Sequence, residues 1–508
     1  MSNKQIISLK PAVWRILCAI LILCMIGVML IMKRENDLTK HYSILIIEPT
    51  CTEYGYSLYT HRETGETTVR DLVAAKGHTF DSWVLIEKGN EVNCDFFKRV
   101  CCVCGQDEIH ADYPNLAISR ISLYGSLDGI GKKESVPMTA HLELKEDALS
   151  LECYATLKYQ GHTSLSYDKK NFTLKLFEDE SRQKKNKLTL SHWNEESKYI
   201  LKANYVDASQ CRNLVSADVW AEMCASRSST RKELLTLSNY GAVDGYPVAL
   251  YINDQFYGLF TMNLHKDDDL FGMEEGKRHA IMICNYGTVS EAIFRSEAEF
   301  SETSPWEVEY CGTNDSSWAK DSLNQFIRFV ISSDDATFQK ELSKYLDVDA
   351  AIDYLIALYA LGISNHMDKD LMLVSYGDVW IPSLYDMETA FGLSSNGSDW
   401  QEPIEFLPIL TDTGWNTGTG HLLWDRLLQN FWNEICARYQ FLRTQILDPQ
   451  MLCNRAIAFM DGIPTVVYEM EEATNPHPIS YEESRMQILS YIPERIEALD
   501  KIFLKGLN

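Results

Sequence analysis

The sequence predicts an α+β fold in which a β-rich N-terminal lobe precedes a helical C-terminal lobe, behind an apolar N-terminal segment. Three observations support this prediction. Residues 150–265 alternate apolar runs with turns, whereas apolar residues recur at three- and four-residue spacing from residue 318 onwards. Residues 16–32 carry no charge. At 508 residues the chain is long enough for two or three domains, and its 45% apolar content supports a packed core.

The apolar N-terminal segment is predicted to be a transmembrane anchor. Basic residues flank 16–32 on both sides, and Ala12, Val13 and Trp14 bring the apolar length close to the ~20 residues that cross a bilayer. No small-x-small cleavage site follows it, which favours a signal anchor over a cleaved signal peptide. We therefore predict a basic cytoplasmic tail at 1–10, a transmembrane anchor at 11–34 and a single-pass membrane localisation.

Residues 35–108 are predicted to form a β-rich module with clustered cysteines. Runs such as SILIIEP and DSWVLIEKG are typical of strands. The cluster comprises Cys94, Cys101, Cys102 and Cys104. Three alternatives stay open for these cysteines: disulfides in an oxidising compartment, a zinc site that includes His110, or unpaired thiols. No second Cys-x-x-Cys pair stands at zinc-ribbon spacing, which weighs against a metal.

The stretch from Ser364 to Leu393 is predicted to be a β-hairpin with acidic groups at both ends. Two apolar runs, at 371–375 and 379–384, flank a Gly-Asp turn. Because a hairpin brings its two ends together, the acids before the first run and those after the second are expected to share one site. Clustered carboxylates repel one another unless a cation or a proton holds them, so the pattern favours a divalent metal site. Solvated turn-forming acids are the alternative interpretation.

Five blocks of sequence, in order, point to a known family. After the hairpin comes YDMETAFG at 385–392, which matches a Y-D-[LM]-D-x-x-[FW]-G signature with Glu388 in place of the second Asp. The other blocks are GHTSLSYDKKNFTLKLF (161–177), YILKANYVDASQCRNLVSADVW (199–220), VDGYPVALYINDQFYGLFTMN (243–263) and the helical tail with NFWNEICARYQFLRTQIL and YIPERIEALDKIF. Together they resemble the CotH family, the spore coat protein H-like kinases of many bacteria. The resemblance implies a kinase-like two-lobed catalytic domain, which we place at 109–508.

The resemblance also implies an activity and a set of site residues. It implies transfer of phosphate from Mg-ATP, with Mn²⁺ as the alternative metal, to Ser or Thr of a surface or coat protein outside the cytoplasm. Asp386 would be the principal metal ligand, supported by Glu388 and Asp370. Phosphates need cationic partners, and the candidates for binding the nucleotide are Lys175, Lys170 and Arg212.

The predicted catalytic loop departs from the family pattern. The family has an Asp first and an Asn five places later, whereas this chain, aligned on Lys369, has Asn365 first and Asp370 second. Because Asn cannot accept a proton as Asp can, Asp368 or Asn365 is predicted to orient the acceptor hydroxyl in a different way. Two further interpretations stay open. One is a pseudokinase or surface binding module that keeps the fold, and the other is metal-dependent phosphoester hydrolysis by the same acids.

The net charge of −25 argues against nucleic acid as a partner, because non-specific binding to phosphate backbones needs a basic face. The expected partners are a nucleotide, a protein substrate and the membrane around the N-terminal helix. No G-x-G-x-x-G or Walker motif is present, so a different element must hold the phosphates.

Overall fold

The computed structural model describes residues 40–87, 95–112, 118–190, 193–237, 239–253, 255–377, 379–412 and 414–504. These residues form two compact units, each of which is described by itself. The N-terminal unit comprises residues 40–87 and 96–109, and the C-terminal unit comprises the described residues from 110 onwards.

The N-terminal unit contains two three-stranded sheets, with the orders β1-β2-β3 and β4-β5-β6. The strands are β1 (Tyr42–Ile47), β2 (Gly55–His61), β3 (Thr67–Val73), β4 (Val84–Glu87), β5 (Asp95–Val100) and β6 (Asp107–Asp112). Most of their described side chains are exposed, including all seven of β3. Cys51 and Cys101 are among the few buried side chains of this unit. The unit therefore has little apolar core.

The C-terminal unit begins with a closed barrel of seven strands. Their order around the barrel is β10-β11-β13-β12-β7-β8-β9. Its strands are β7 (Ser119–Tyr124), β8 (Val136–Leu144), β9 (Leu149–Gln160), β10 (Asn171–Phe177), β11 (Lys198–Lys202), β12 (Gly245–Ile252) and β13 (Gln255–Leu264). Alternate residues point inward, as Phe172, Leu174 and Leu176 do with no exposed surface. The barrel core is therefore apolar, and polar side chains of the same strands lie on its outer face.

Helices and a second sheet make up the rest of this unit. The sheet has the order β15-β14-β16-β17, with β14 (Ala280–Cys284), β15 (Trp306–Cys311), β16 (Met372–Ser375) and β17 (Trp380–Ser383). A two-stranded ribbon pairs β18 (Ile409–Thr411) with β19 (Gly414–Asn416). The helices are α1 (Arg212–Ala225), α2 (Lys232–Leu235), α3 (Ser317–Ser332), α4 (Asp335–Glu341), α5 (Val348–Leu361), α6 (Leu422–Asn430), α7 (Trp432–Gln445), α8 (Pro449–Asp461), α9 (Thr465–Thr474) and α10 (Tyr481–Phe503). One large apolar cluster joins α1, α3, α5 and α10.

The predicted hairpin is present as β16 and β17, which pair antiparallel with Met372 opposite Ser383. All eight of its strand residues are buried. Helix α5 precedes the hairpin and ends at Gly362, whose φ of 67° supplies the left-handed residue that closes many helices. The acidic loop therefore follows helix α5 directly and leads into the first strand of the hairpin.

The predicted two-lobed kinase-like fold behind a membrane anchor is not supported and has to be corrected to a mixed α+β fold with a closed seven-stranded barrel. Alternation identifies strands one at a time, but closure depends on pairings between distant strands, such as the parallel pairing of β7 with β12. A local sequence pattern does not indicate which distant strands will pair.

The predicted anchor and the membrane localisation that rested on it are not supported either. Across the part of the chain that the structure describes, we find no helix with the length and apolar character needed to span a bilayer. The predicted tail at 1–10 and the predicted segment at 11–34 themselves lie outside the described residues.

Candidate active site

The two ends of the β16–β17 hairpin meet in one polar cluster. His366 connects them, because its Nε2 lies 2.6 Å from the backbone oxygen of Tyr385 and its Nδ1 lies 3.1 Å from Asn365 Oδ1. Asn365 in turn donates through Nδ2 to Asp370 Oδ2 at 3.2 Å. The structure therefore brings the loop acids next to the residue that precedes Asp386.

Lys202 bridges the two carboxylates that follow the hairpin. It is the last residue of β11, and its side chain is only 8% exposed. Its Nζ donates to Asp386 Oδ1 and lies 3.2 Å from Glu388 Oε2. A buried ammonium is costly unless counter-charges accompany it, so the two carboxylates stabilise Lys202 at this place on the outer face of the barrel.

Backbone conformation sets the direction of both hairpin-end acids. Asp370 and Asp386 have φ angles of 64° and 55°, in the left-handed region. Such residues are uncommon outside glycine and persist where the surrounding structure holds them, often at functional sites. The backbone N–H of Met387 donates to Asn213 Oδ1 at 3.0 Å, which ties the turn after Asp386 to helix α1.

The charges in this cluster shift one another's pKa values. Burial disfavours the charged form of Lys202, but the carboxylates of Asp386 and Glu388 outweigh it and raise the pKa of Lys202. Burial also opposes ionisation of Asp386, yet the charge and hydrogen bond of Lys202 lower its pKa. At Glu388, burial and the negative charges of Asp386 and Asp370 prevail over Lys202 and raise the pKa to about 6. Asp386 is therefore ionised at neutral pH, and Glu388 is the carboxyl that exchanges a proton most easily.

An open cleft lies beside Lys202 and Asp386. Two of its lining residues, Gln160 and Asn263, have buried side-chain oxygens without a hydrogen-bond partner. A second cation is present, because Lys266 lines the cleft and its Nζ lies 4.9 Å from the ring centre of Tyr385. The cleft thus offers unsatisfied acceptors, two cations and a carboxylate at one place.

Asp368 belongs to the same acidic loop, and backbone N–H groups hold its carboxylate. Its Oδ2 accepts a hydrogen bond from the backbone N–H of Thr288 at 3.2 Å, and its Oδ1 accepts one from the N–H of Lys369 at 2.6 Å. The side chain is partly exposed. Asp368 therefore keeps an oriented carboxylate within reach of solvent, two residues from Asp370.

The cations predicted to hold phosphate lie elsewhere. Lys170 donates to the backbone oxygen of Tyr167. Lys175 is exposed on the outer face of the barrel and pairs with Lys198 on β11, four residues before Lys202. Neither makes a contact with the acidic cluster among its described hydrogen bonds and ion pairs.

Arg212 is fully buried at the start of α1, and every nitrogen of its guanidinium donates to an internal acceptor. These acceptors are Asp207, the backbone oxygens of Ala390 and Phe391, Ser484 and Gln487. The arrangement fastens the segment after the hairpin to α1 and α10, which is a structural role.

Lys202 and Lys266 are the site cations that the sequence analysis missed. Lys202 stands in the YILKANY part of one matched block, at the end of an apolar run. A charged residue in that position is unusual and could have indicated a functional role. Lys266 stands directly before three acidic residues, 267–269, and no local pattern distinguishes it. Its position beside Tyr385 depends on the tertiary structure, because the two residues are far apart in the sequence.

The barrel, the buried lysine and the nearby carboxylates form an α+β domain whose acids suit a divalent cation and whose lysines suit phosphate. The family model described as CotH kinase protein matches residues 157–499, and the chain belongs to this family. The predicted family is thereby confirmed, and it supports a kinase as the class of enzyme. Every residue of the candidate site falls within the match, whereas the N-terminal unit falls outside it. No curated protein matches the chain.

Proposed function

We propose that this chain is a metal-dependent protein kinase that transfers phosphate from ATP to Ser or Thr of a protein. The observation that carries this proposal is the contact of Lys202 with both Asp386 and Glu388 at the edge of the cleft. Kinases and related enzymes need a cation for phosphate beside carboxylates for a metal, because phosphoryl transfer depends on positioning and electrostatic stabilisation.

The carboxylates around Lys202 suit a divalent cation by their chemistry. Asp386, Glu388 and Asp370 offer carboxylate oxygens, which Mg²⁺ and Mn²⁺ prefer as ligands. Burial is the main reason that the pKa of Glu388 is raised, and the negative charges of Asp386 and Asp370 add to it, so further positive charge beside Glu388 would favour its ionised form. A bound Mg²⁺ or Mn²⁺ would supply that charge and neutralise the phosphates during transfer.

The chain's own residues account for binding and for orientation. Lys202 and Lys266 line the cleft and can contact phosphate oxygens. The free oxygens of Gln160 and Asn263 can accept hydrogen bonds from the nucleotide. Asp368, oriented by Thr288, would accept the proton of the acceptor hydroxyl, because the amide of Asn365 cannot do so. We keep Asn365 as a residue that orients Asp370.

The test uses the full-length chain with γ-labelled ATP and Mg²⁺ or Mn²⁺, with and without casein as an added acceptor. The variants are Asp386→Ala and, as a matched control, Asp412→Ala on an exposed turn. We expect label on protein from the wild type and the control, and its loss in Asp386→Ala. Near-ultraviolet circular dichroism of each variant establishes that the fold is intact. Loss of label in both variants, or in neither, would contradict the proposal.

The second candidate function is nucleotide binding without transfer, as in a pseudokinase. It is favoured by Asn365, which occupies the position of the family's proton-accepting Asp and is engaged with Asp370. Tight nucleotide binding by the wild type with neither labelled protein nor released phosphate would establish this second function. Release of free phosphate without labelled protein would instead indicate hydrolysis by the same acids.

A further inference from the structure

Three cysteines and one histidine of the N-terminal unit converge on a single point. They are Cys51, His78, Cys101 and Cys104, and one ligand atom from each lies within 4.8 Å of the other three. Cys51 and Cys101 are buried, and Cys104 is exposed. These side chains come from three separate segments, so their convergence is a feature of the fold and not of one turn.

The distances match those between ligands of one tetrahedral metal ion. The sulfurs of Cys51 and Cys101 are 3.7 Å apart, and Cys104 Sγ lies 3.3 Å from Nδ1 of His78. Two thiolates on one zinc ion, each about 2.3 Å from the metal at a tetrahedral angle, are about 3.8 Å apart. A disulfide would bring two sulfurs to about 2.05 Å. The separation of Cys51 and Cys101 therefore fits shared coordination of a metal and not a covalent bond.

The backbone around Cys101 and Cys104 supports thiolate ligands. The N–H of Gly105 donates to the backbone oxygen of Cys101 at 2.9 Å, and Gly105 has a φ of 75° that favours glycine. This turn aims the backbone N–H groups of Val103 and Cys104 at the sulfur of Cys101. Hydrogen bonds from N–H groups stabilise a thiolate, which is the form that binds a metal.

A metal ion would also stabilise this unit, which has little apolar core. Its described strands are mostly exposed, and it lacks the packed apolar core that stabilises a larger domain. Small units of this sort are commonly held together by disulfides or by a structural metal. Cys51 lies in the loop between β1 and β2, and Cys101 follows β5, so one ion would join the two sheets.

We propose that Cys51, His78, Cys101 and Cys104 bind one Zn²⁺ in a closed, structural site. Four protein ligands leave no open position, so this zinc stabilises the fold and takes no part in catalysis. Binding releases the protons of the three thiols. Cys102 stands outside the cluster and is exposed, and the side chain of His110, the partner considered from sequence, lies outside the described residues.

The test measures metal content of the full-length chain by plasma mass spectrometry after purification under reducing conditions. Cys104→Ser and Cys102→Ser form a matched pair, because both cysteines are exposed and only Cys104 belongs to the cluster. We expect about one zinc ion per chain in the wild type and in Cys102→Ser, and loss of that zinc in Cys104→Ser. Replacement of zinc by Co²⁺ should give the intense visible bands of tetrahedral thiolate ligation.

Two results would overturn the proposal. One is wild-type protein with no more zinc than Cys104→Ser, whether its thiols titrate as free or as a disulfide. The other is equal loss of zinc in both variants, which would place the metal elsewhere. The labelling assay of the candidate active site is independent of both, since that site lies in the other unit.

Discussion

The Nζ of Lys202 lies 3.2 Å from Glu388 Oε2 and also contacts Asp386, so a lysine of the barrel neutralises the signature acids that follow the hairpin. This contact connects the barrel strand that carries Lys202 with the acids that follow the hairpin. The proposed function gives Lys202 the phosphate-binding role on this ground, and several predictions depend on it.

Replacing Lys202 by Met should reduce nucleotide affinity and phosphate transfer by roughly 100-fold, because an oriented charge at a site of this kind is worth that much. Isothermal titration with the Mn²⁺–nucleotide complex and the labelling assay would measure the two effects. Lys175→Met is the control, since Lys175 is exposed on a neighbouring strand. A larger loss in Lys175→Met than in Lys202→Met would return the phosphate-binding role to Lys175.

Nucleotide–metal affinity should fall as the pH drops below about 6, because Glu388, with a pKa of about 6, must lose its proton to bind a cation. In the metal-free chain, the stability of the fold depends on pH in the opposite direction. The raised pKa of Glu388 means that its contribution to stability is present below about pH 4.5 and is lost as the pH rises through about 6. Glu388→Gln should remove both dependences. Identical pH profiles for the wild type and this variant would show that another group titrates.

Replacing Asp368 by Asn should lower the rate of transfer by about 100-fold while nucleotide affinity stays unchanged, because a proton acceptor acts on the reaction and not on binding. Asp370→Asn should instead weaken binding of the metal–nucleotide complex. Single-turnover rates and titration calorimetry separate the two effects. An unchanged rate in Asp368→Asn would favour a role for Asn365 or the absence of a proton acceptor.

Arg212→Met should destabilise the fold by about 3–5 kcal/mol, because it removes a fully buried guanidinium and leaves Asp207 without its partner. Urea unfolding measures this loss. The variant should bind nucleotide normally wherever it remains folded, since Arg212 donates only to internal acceptors. Normal stability with impaired nucleotide binding would contradict this structural role.

A buried ion pair should control how stable the fold is at low pH. Glu471 Oε1 lies 2.7 Å from Lys169 Nζ, and both side chains are at most 2% exposed. Burial opposes ionisation of Glu471, but Lys169 and His477 outweigh it and lower the pKa to about 2. The stabilisation is therefore present above about pH 4.5 and is lost as the pH falls towards 2.

Glu471→Gln should accordingly cost about 3–5 kcal/mol at neutral pH and much less near pH 2, because at neutral pH it leaves Lys169 buried without a counter-charge. Urea unfolding at several pH values would measure the difference. Glu472→Gln is the matched control, since the neighbouring Glu472 is exposed. A constant cost at all pH values would show that the ion pair does not cause it.

The hairpin and the meeting of its acids were predictable because they depend on neighbouring residues. A Gly-Asp turn between two apolar runs predicts the pairing of β16 with β17, and pairing brings residues 365–370 next to Asp386. The helix preceding the hairpin followed from its three- and four-residue spacing. Sequence blocks likewise sufficed for the family, since the matched residues include all of these elements.

Local sequence was enough for the family, the hairpin and the acidic residues at its ends. Matching sequence blocks indicated the family, and turn residues with local periodicity specified the hairpin. Three features appear only in the tertiary structure: the closed barrel, the contact of Lys202 with Asp386 and the convergence of Cys51 with Cys101. Each of these depends on a contact between segments far apart in the chain. Such contacts arise from packing and ion pairing of the whole fold, so they leave no periodic pattern around either partner.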